Sequence, residues 1–220
     1  MTVLAFDCAI SGLSAALVRD GQSLAMHREE GRGQAATLLP VIAALLHQAG
    51  VDRRDLAMIA VTIGPGSFTG VRVGLAAARG LAIALGVPLA GIATTRALLA
   101  QAEPDERLAV AAIDTRLGDW FCALGEGDRS PFLASTEALA GRLAGRCARV
   151  VSPQADRLAS LIPQAKAQPA LPDPVVLARL AMTEGIDAWR VRNRTEGLPR
   201  PLYLRGVNVT SPDGTRRTVE

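Results

Sequence analysis

The sequence predicts an α/β protein built in two similar halves. Three observations carry that reading. Short apolar runs alternate along the chain with stretches of helical periodicity. The segment Gly64-Pro65-Gly66-Ser67-Phe68-Thr69-Gly70 links an apolar run over 56–63 to a small-residue helix, so strand, glycine turn and helix start are continuous. An apolar strand ending in Asp, a short polar turn with Gly and a second strand occur twice, around Asp7 and around Asp114.

Composition agrees. With 220 residues and 49% hydrophobic content the chain can bury a sizeable core, while 3% aromatics and 21 Gly require that core to be small and aliphatic. A net charge of +3 is too mild for a dedicated nucleic-acid surface. Cys8, Cys122 and Cys147 are odd in number, far apart and outside any C-x-x-C, which fits reduced thiols used as small apolar packers. The chain opens directly on a strand-like run, leaving no room for a signal peptide. The longest apolar stretch, 73–93, is broken by Arg79 and Pro88 and reads as helix, turn and strand rather than a membrane span.

The elements follow in order. A buried strand over 3–6 ends at Asp7, and a turn with Ser11 and Gly12 leads to a strand over 14–19. Asp20-Gly21 signals a hairpin into a third strand over 23–28. Leu38, Val41, Ile42, Leu45, Leu46 and Ala49 form an apolar stripe on a helix over 35–49, with Pro40 early in it and Gly50 ending it. After the strand over 57–63 and the glycine turn, a helix over 68–85 carries Gly70, Gly74, Ala78 and Ala82 at four-residue steps, a face that another backbone can approach closely. A short strand over 89–93 follows, and Thr94 or Thr95 is positioned to cap the next helix. Glu103-Pro104-Asp105-Glu106 is the candidate boundary, giving an N-terminal lobe over 1–104 and a C-terminal lobe with tail over 105–220. The second half reads as strands over 108–113 and 120–124, helix 136–145, strand 149–152, helix 155–161, a Pro-rich loop over 163–172 and helix 174–184. Residues 190–220 show little periodicity and read as a tail with a mobile end.

The candidate chemistry is sparse. No Lys-Ser or Lys-Thr follows the glycine turn, so it is not a Walker-type loop, and an anion cradle and a tight packing turn remain equally open. Ser67 lies in no G-x-S-x-G frame. His27 and His47 have no ligand-spaced neighbours, so no metal site is expected. Asp7 and Asp114 sit where two-lobed ATPases hold Mg-nucleotide, but neither is followed by a Gly pair that would admit phosphate, and each reads first as the organiser of its turn. Arg190, Arg192, Arg194, Arg200 and Arg205, interleaved with Trp189 and Tyr203, could stack on nucleic acid but read first as a solvated tail.

The 64–74 string, the opening Leu4-Ala5-Phe6-Asp7, the Leu38-Leu39-Pro40 helix start and Pro201-Leu202-Tyr203-Leu204-Arg205 together resemble the bacterial TsaB family, the non-catalytic paralogue of TsaD in tRNA threonylcarbamoyladenosine biosynthesis. The resemblance covers the first half in order and spacing and is looser over 128–197. It implies the two-lobed actin and sugar-kinase (ribonuclease H-like) duplicated fold. It also implies a cytoplasmic scaffold or activator that catalyses nothing itself, uses no cofactor, pairs with TsaD, recruits TsaE and reaches tRNA through the complex. TsaD would transfer the threonylcarbamoyl group to an adenosine beside the anticodon. Unpartnered, the chain would form a homodimer. The implied partner contact lies on the first-lobe helices, at Leu38, Val41, Ile42, Leu45, Gly70, Val71, Gly74 and Ala78. Asp7, Ser11 and Asp114 would be a vestigial nucleotide site. Two departures from the family pattern stand out: Gln34 occupies the place of a common His, and the His pair that TsaD uses for metal is missing from the helix over 35–49. The alternative is a stand-alone ATP-dependent kinase or hydrolase of the same superfamily, with Asp7 and Asp114 holding Mg-nucleotide.

Overall fold

A computed structural model describes residues 1–205 together with the backbone of 207–210 and 216–219. The first lobe is a five-stranded sheet of β1 (Thr2–Asp7), β2 (Leu13–Arg19), β3 (Gln22–Glu29), β4 (Leu56–Thr62) and β5 (Leu89–Ile92), in the order β3-β2-β1-β4-β5. α1 (Gln34–Gln48) joins β3 to the 3₁₀ turn Arg53–Asp55, which precedes β4, and α2 (Phe68–Leu85) joins β4 to β5. α3 (Thr94–Leu99) leads into the second lobe, made of β6 (Leu108–Asp114), β7 (Trp120–Leu124), β8 (Phe132–Ala134), α4 (Thr136–Leu143), β9 (Ala148–Ser152), α5 (Ala155–Ala159) and β10 (Ala165–Pro169). Its sheet order, β10-β9-β6-β7-β8, repeats that of the first. In each lobe an antiparallel meander of three strands is extended by two parallel strands reached through helices. That shared connectivity is the duplicated, two-lobed actin and sugar-kinase architecture.

Alternation along the strands explains the layers. Leu4 and Phe6 of β1 face α1 and α2 in one core, together with Leu38, Ile42, Leu75 and Ala78. Val3 and Ala5 face the opposite side, where Leu177, Ala178 and Ala181 of α6 (Pro174–Glu184) and Trp189 of α7 (Ile186–Thr195) cover the sheet. The chain therefore returns to the first lobe after completing the second sheet. Residues 174–195, grouped with the second lobe on sequence grounds, pack on the first-lobe sheet. α3 packs instead on the second sheet, where Leu98 and Leu99 meet Ala111, Ile113 and Val151.

Local chemistry sets several element ends. Ser135 and Asp173 cap α4 and α6 through their side chains, and Pro174 opens α6 at a position that needs no donor. Pro40 is accommodated inside a continuous α1. The cap expected at Thr94 or Thr95 falls on Ala93, because both threonines already lie inside the helix, and their buried hydroxyls have no hydrogen-bond partner. β8 falls where the sequence reading assigned no element, β10 lies in the expected Pro-rich loop, and the second half of α7 lies in the expected tail. β11 (Val207–Thr210) and β12 (Arg216–Val219) pair antiparallel. Otherwise the end expected to be mobile lies outside the described residues.

Candidate functional site

The glycine turn between β4 and α2 is a seat for the β1–β2 turn. Ser67 N donates to the Ala9 carbonyl at 2.6 Å, and Ser67 Oγ accepts from Gly70 N at 3.2 Å. A Cβ at Gly66 would collide with the Ala9 carbonyl, and one at Gly70 with the Cys8 carbonyl. The glycines are there because a neighbouring backbone lies against them. The Ser67 and Gly70 amides are engaged within the protein, and the close approach of the Cys8 and Ala9 carbonyls is the contact that the turn is seen to make. Cys8 itself is buried beside Gly74, and desolvation pushes its thiol up to about 12.

The carboxylates of the two Asp turns are similarly occupied. Asp7 is buried, accepting from Thr62 Oγ1 and, at 3.0 Å, from Ala9 N. Burial raises its carboxyl above the ordinary 3.8, against the opposing pull of those hydrogen bonds. Asp114 accepts from Arg116 N at 2.7 Å and pairs with Arg157 at 2.6 Å. Each Asp thus organises its own turn, as expected of the residue type. Ser11 is exposed on the first of these turns. The same turn reaches the second lobe through Ile10, which packs against the Ala111, Ile113 and Val151 cluster.

The first-lobe helices carry apolar surface with two grooves beside them. Leu38, Ile42 and Leu45 of α1 and Gly70, Val71, Gly74 and Ala78 of α2, expected to meet a partner, are buried within the lobe. They hold the helices on the sheet, and Gly70 and Gly74 let α2 close on Cys8. Val41 is half-buried and lines a groove of about 410 Å³ between α1 and β3, beside Met26 and Pro40. The solvent side of the helix pair lies further round: Leu39 is 54% exposed and Ile83 71% exposed, with Ala43, Ala76, Gly80 and Ala84 also open. Between the helices runs a groove of about 610 Å³, lined by Leu39, Ala43, Leu46, Leu81, Ala84 and Leu85, with Arg53 and Arg54 at its end. Sequence periodicity marked two apolar helices correctly but could not tell which side meets their own sheet. α2 is also long and apolar enough to cross a membrane, with a mean hydropathy of 1.4, yet one face is packed on β4. Gln34 donates to the carbonyls of Gly12 and Gly31 and ties α1 to the turns.

The arginine cluster near the C-terminus is exposed at Arg190, Arg192, Arg194 and Arg200, and three of its members are in ion pairs. Arg190 pairs with Asp187 and Arg192 with Glu184, on the helix α7 where a tail was expected. Arg205 pairs with Asp119 of the second lobe. Trp189 is buried and donates to the Ala181 carbonyl, so its ring is not open to stack on a base. Residues 198–205 form a strap over the glycine turn that sequence reading missed. Arg79 donates to the Leu198 and Pro199 carbonyls, Leu202 N donates to Ile63 O at 2.8 Å, and Arg72 lies over the Phe68 ring while donating to the Tyr203 hydroxyl. The one early signal was the Pro201–Arg205 motif.

Comparison with known proteins bears on this arrangement. The family described as tRNA N6-adenosine threonylcarbamoyltransferase, TsaD, matches residues 27–184, well over half of the chain. The tRNA threonylcarbamoyladenosine biosynthesis protein TsaB of Escherichia coli K12 is 35% identical over 132 residues, covering 59% of this chain and 57% of that protein. TsaB of Bacillus subtilis is 30% identical over 125 residues, covering 56% and 55%. The chain thus spans a little over half the length of these curated relatives. Over nearly the whole fold, a crystal structure of an uncharacterised Pseudomonas aeruginosa protein with similarity to peptidase YeaZ superposes with a TM-score of 0.72 at 28% identity, covering 93% of this chain and 99% of that one. On these matches the chain belongs to the wider TsaD family and, within it, to the TsaB family.

Proposed function

We propose that this chain is a non-catalytic scaffold and activator in tRNA threonylcarbamoyladenosine biosynthesis, pairing with TsaD and recruiting TsaE in the cytoplasm. The observation that carries the reading is the exposed apolar side of α1 and α2, where Leu39 and Ile83 stand in water beside a groove of about 610 Å³. Monomeric surfaces seldom leave such relief uncovered. A TsaD subunit is the occupant that the relatives favour, since TsaB proteins are named for a pathway whose transferase is TsaD. The expected contacts Leu38, Val41, Ile42, Leu45, Gly70, Val71, Gly74 and Ala78 then act from beneath, setting the height and spacing of the two helices. In the absence of TsaD a second copy would cover the same side, and tRNA would be met through the complex.

The lack of catalysis by this chain is part of the proposal. It is supported by the engagement of Asp7 with Thr62 and Ala9 and of Asp114 with Arg157 and Arg116. Co-purification with TsaD from the same cell tests the pairing. Ile83→Asp, at a position 71% exposed, is expected to weaken the heterodimer at least tenfold and leave the fold intact. Undiminished co-elution of that variant on gel filtration would remove the α1–α2 side from consideration. Calorimetric titration with Mg-ATP tests the cleft: micromolar binding abolished by Asp7→Ala would establish the kinase or hydrolase alternative instead.

A further inference from the structure

The first-lobe sheet has two outer edges, and the chain treats them differently. At β5 the edge is closed. Leu89 N donates to Asn193 Oδ1 at 2.7 Å, Asn193 Nδ2 donates to Leu89 O at 3.0 Å, and Pro199 lies against Gly91. In the second sheet the edge strand β8 has only three residues, and the other edge, β10, carries exposed Lys166 and Pro169. These are the usual means of blunting an edge. β3, the remaining edge, is eight residues long and holds neither Pro nor Lys. Among the described residues no side chain caps its backbone as Asn193 caps β5.

The surroundings of β3 are apolar and uncharged on the helix side. Met26 is 52% exposed and Leu24 39% exposed. The groove of about 410 Å³ between β3 and α1 is flanked on the helix by Ala36, Pro40 and Ala44, all compact and all exposed. α1 contains no Asp, Glu, Lys or Arg.

From this we propose that a second copy of the chain pairs its β3 antiparallel to this one about a two-fold axis, joining two five-stranded sheets into one. A strand supplies the ladder of donors and acceptors that an open edge lacks. β3 runs in regular register with β2 from Ala25 to Glu29, past a bulge at Leu24. In an antiparallel pair of identical strands the dyad falls on a residue, because opposed residues must both turn their backbone groups toward the partner or both away. A dyad at Arg28 would set like charges face to face. A dyad at Met26 sets Met26 against its counterpart and Ala25 against His27, with no like charges opposed. The helices fit the same axis. α1 packs over β2 and β3. With strands about 4.8 Å apart, the two copies of α1 then lie about 10 Å apart across the dyad, within reach of ordinary helix packing. The compact flank of Ala36, Pro40 and Ala44 suits that approach and closes the groove from both sides. The contact uses the flank of α1 that faces away from α2, so it leaves the side proposed for TsaD free and does not depend on that pairing.

Self-association of the full chain, measured by sedimentation equilibrium across a wide concentration range, tests the proposal. Ile83→Asp, which disables the α1–α2 side, is expected to dimerise still. Adding Met26→Lys to it sets two ammonium groups across the dyad and should weaken that dimer about tenfold or more. Circular dichroism melts confirm an unchanged fold at this exposed position. Met26→Cys, made with Cys147→Ser to remove the exposed native thiol, should yield a covalent dimer on oxidation with diamide. Gln22→Cys in the same background, away from the dyad, should not. A monomeric Ile83→Asp chain, a dimer indifferent to Met26→Lys, or a Met26→Cys chain that cross-links no better than Gln22→Cys would each overturn the inference. None of these results bears on pairing with TsaD, which co-purification reads separately.

Discussion

Asp7 shows how one buried side chain can hold a turn at a cost. Its carboxyl, raised above 3.8 by desolvation, is held more tightly protonated in the folded chain than in the unfolded one. Stability associated with this group is therefore fully present below about pH 3.8 and is lost as pH rises through the higher folded-state value. Asp7→Asn keeps an acceptor for Thr62 Oγ1 and Ala9 N and removes the titration. Denaturant unfolding of that variant at acidic and neutral pH should show a flatter pH profile than wild type, with equal or greater stability at pH 7. A profile as steep as that of wild type would show that another group sets it. The residue type and its place after β1 were legible in the sequence. Its partner Thr62 was not, since the contact joins positions far apart in the chain.

Helix α2 places two glycines in opposite circumstances. Gly70 sits against the Cys8 carbonyl, whereas a Cβ at Gly80 would meet nothing within 4 Å. Gly70→Ala should destabilise the chain by about 3 kcal/mol, because backbone must move to admit one methyl. Gly80→Ala should stabilise it by roughly 0.5–1 kcal/mol through helix propensity. Urea unfolding of the two variants measures both, and equal effects would refute the seating of the β1–β2 turn on α2. Elements with strong periodicity, such as α1, α2 and β1 to β7, were legible because alternation and stripes survive in small-residue cores. Others were hidden for physical reasons. β10 is an edge strand with exposed Lys166 amid prolines, and α7 is an arginine-rich helix with one buried anchor, Trp189. At the candidate site the apolar stripe was legible and its orientation was not, since α1 and α2 are apolar on two sides and only the packing decides which is left to water.

The two lobes are joined by more than their linker. Glu103 and Asp105 of the crossing segment both pair with Arg149, whose side chain is 4% exposed, and the strap over 198–205 ends in the pair between Arg205 and Asp119. Arg205→Ala should shift global stability by less than about 1 kcal/mol, since that pair is partly solvated. Its effect should be local, with faster hydrogen exchange at the Leu202 amide that donates to Ile63. Unaltered protection there would mean that the strap is held without its terminal ion pair. The duplication of the sheet was visible in the repeated Asp turns, but the strap left no periodic trace.

The return of α6 to the first sheet has a consequence for biosynthesis. Val3, Ala5, Met58 and Ala90 are covered largely by Leu177, Ala178, Ala181 and Trp189, which leave the ribosome last among the buried core residues. A nascent chain with only its opening half emerged would therefore display a bare apolar sheet, vulnerable to aggregation until synthesis nears completion.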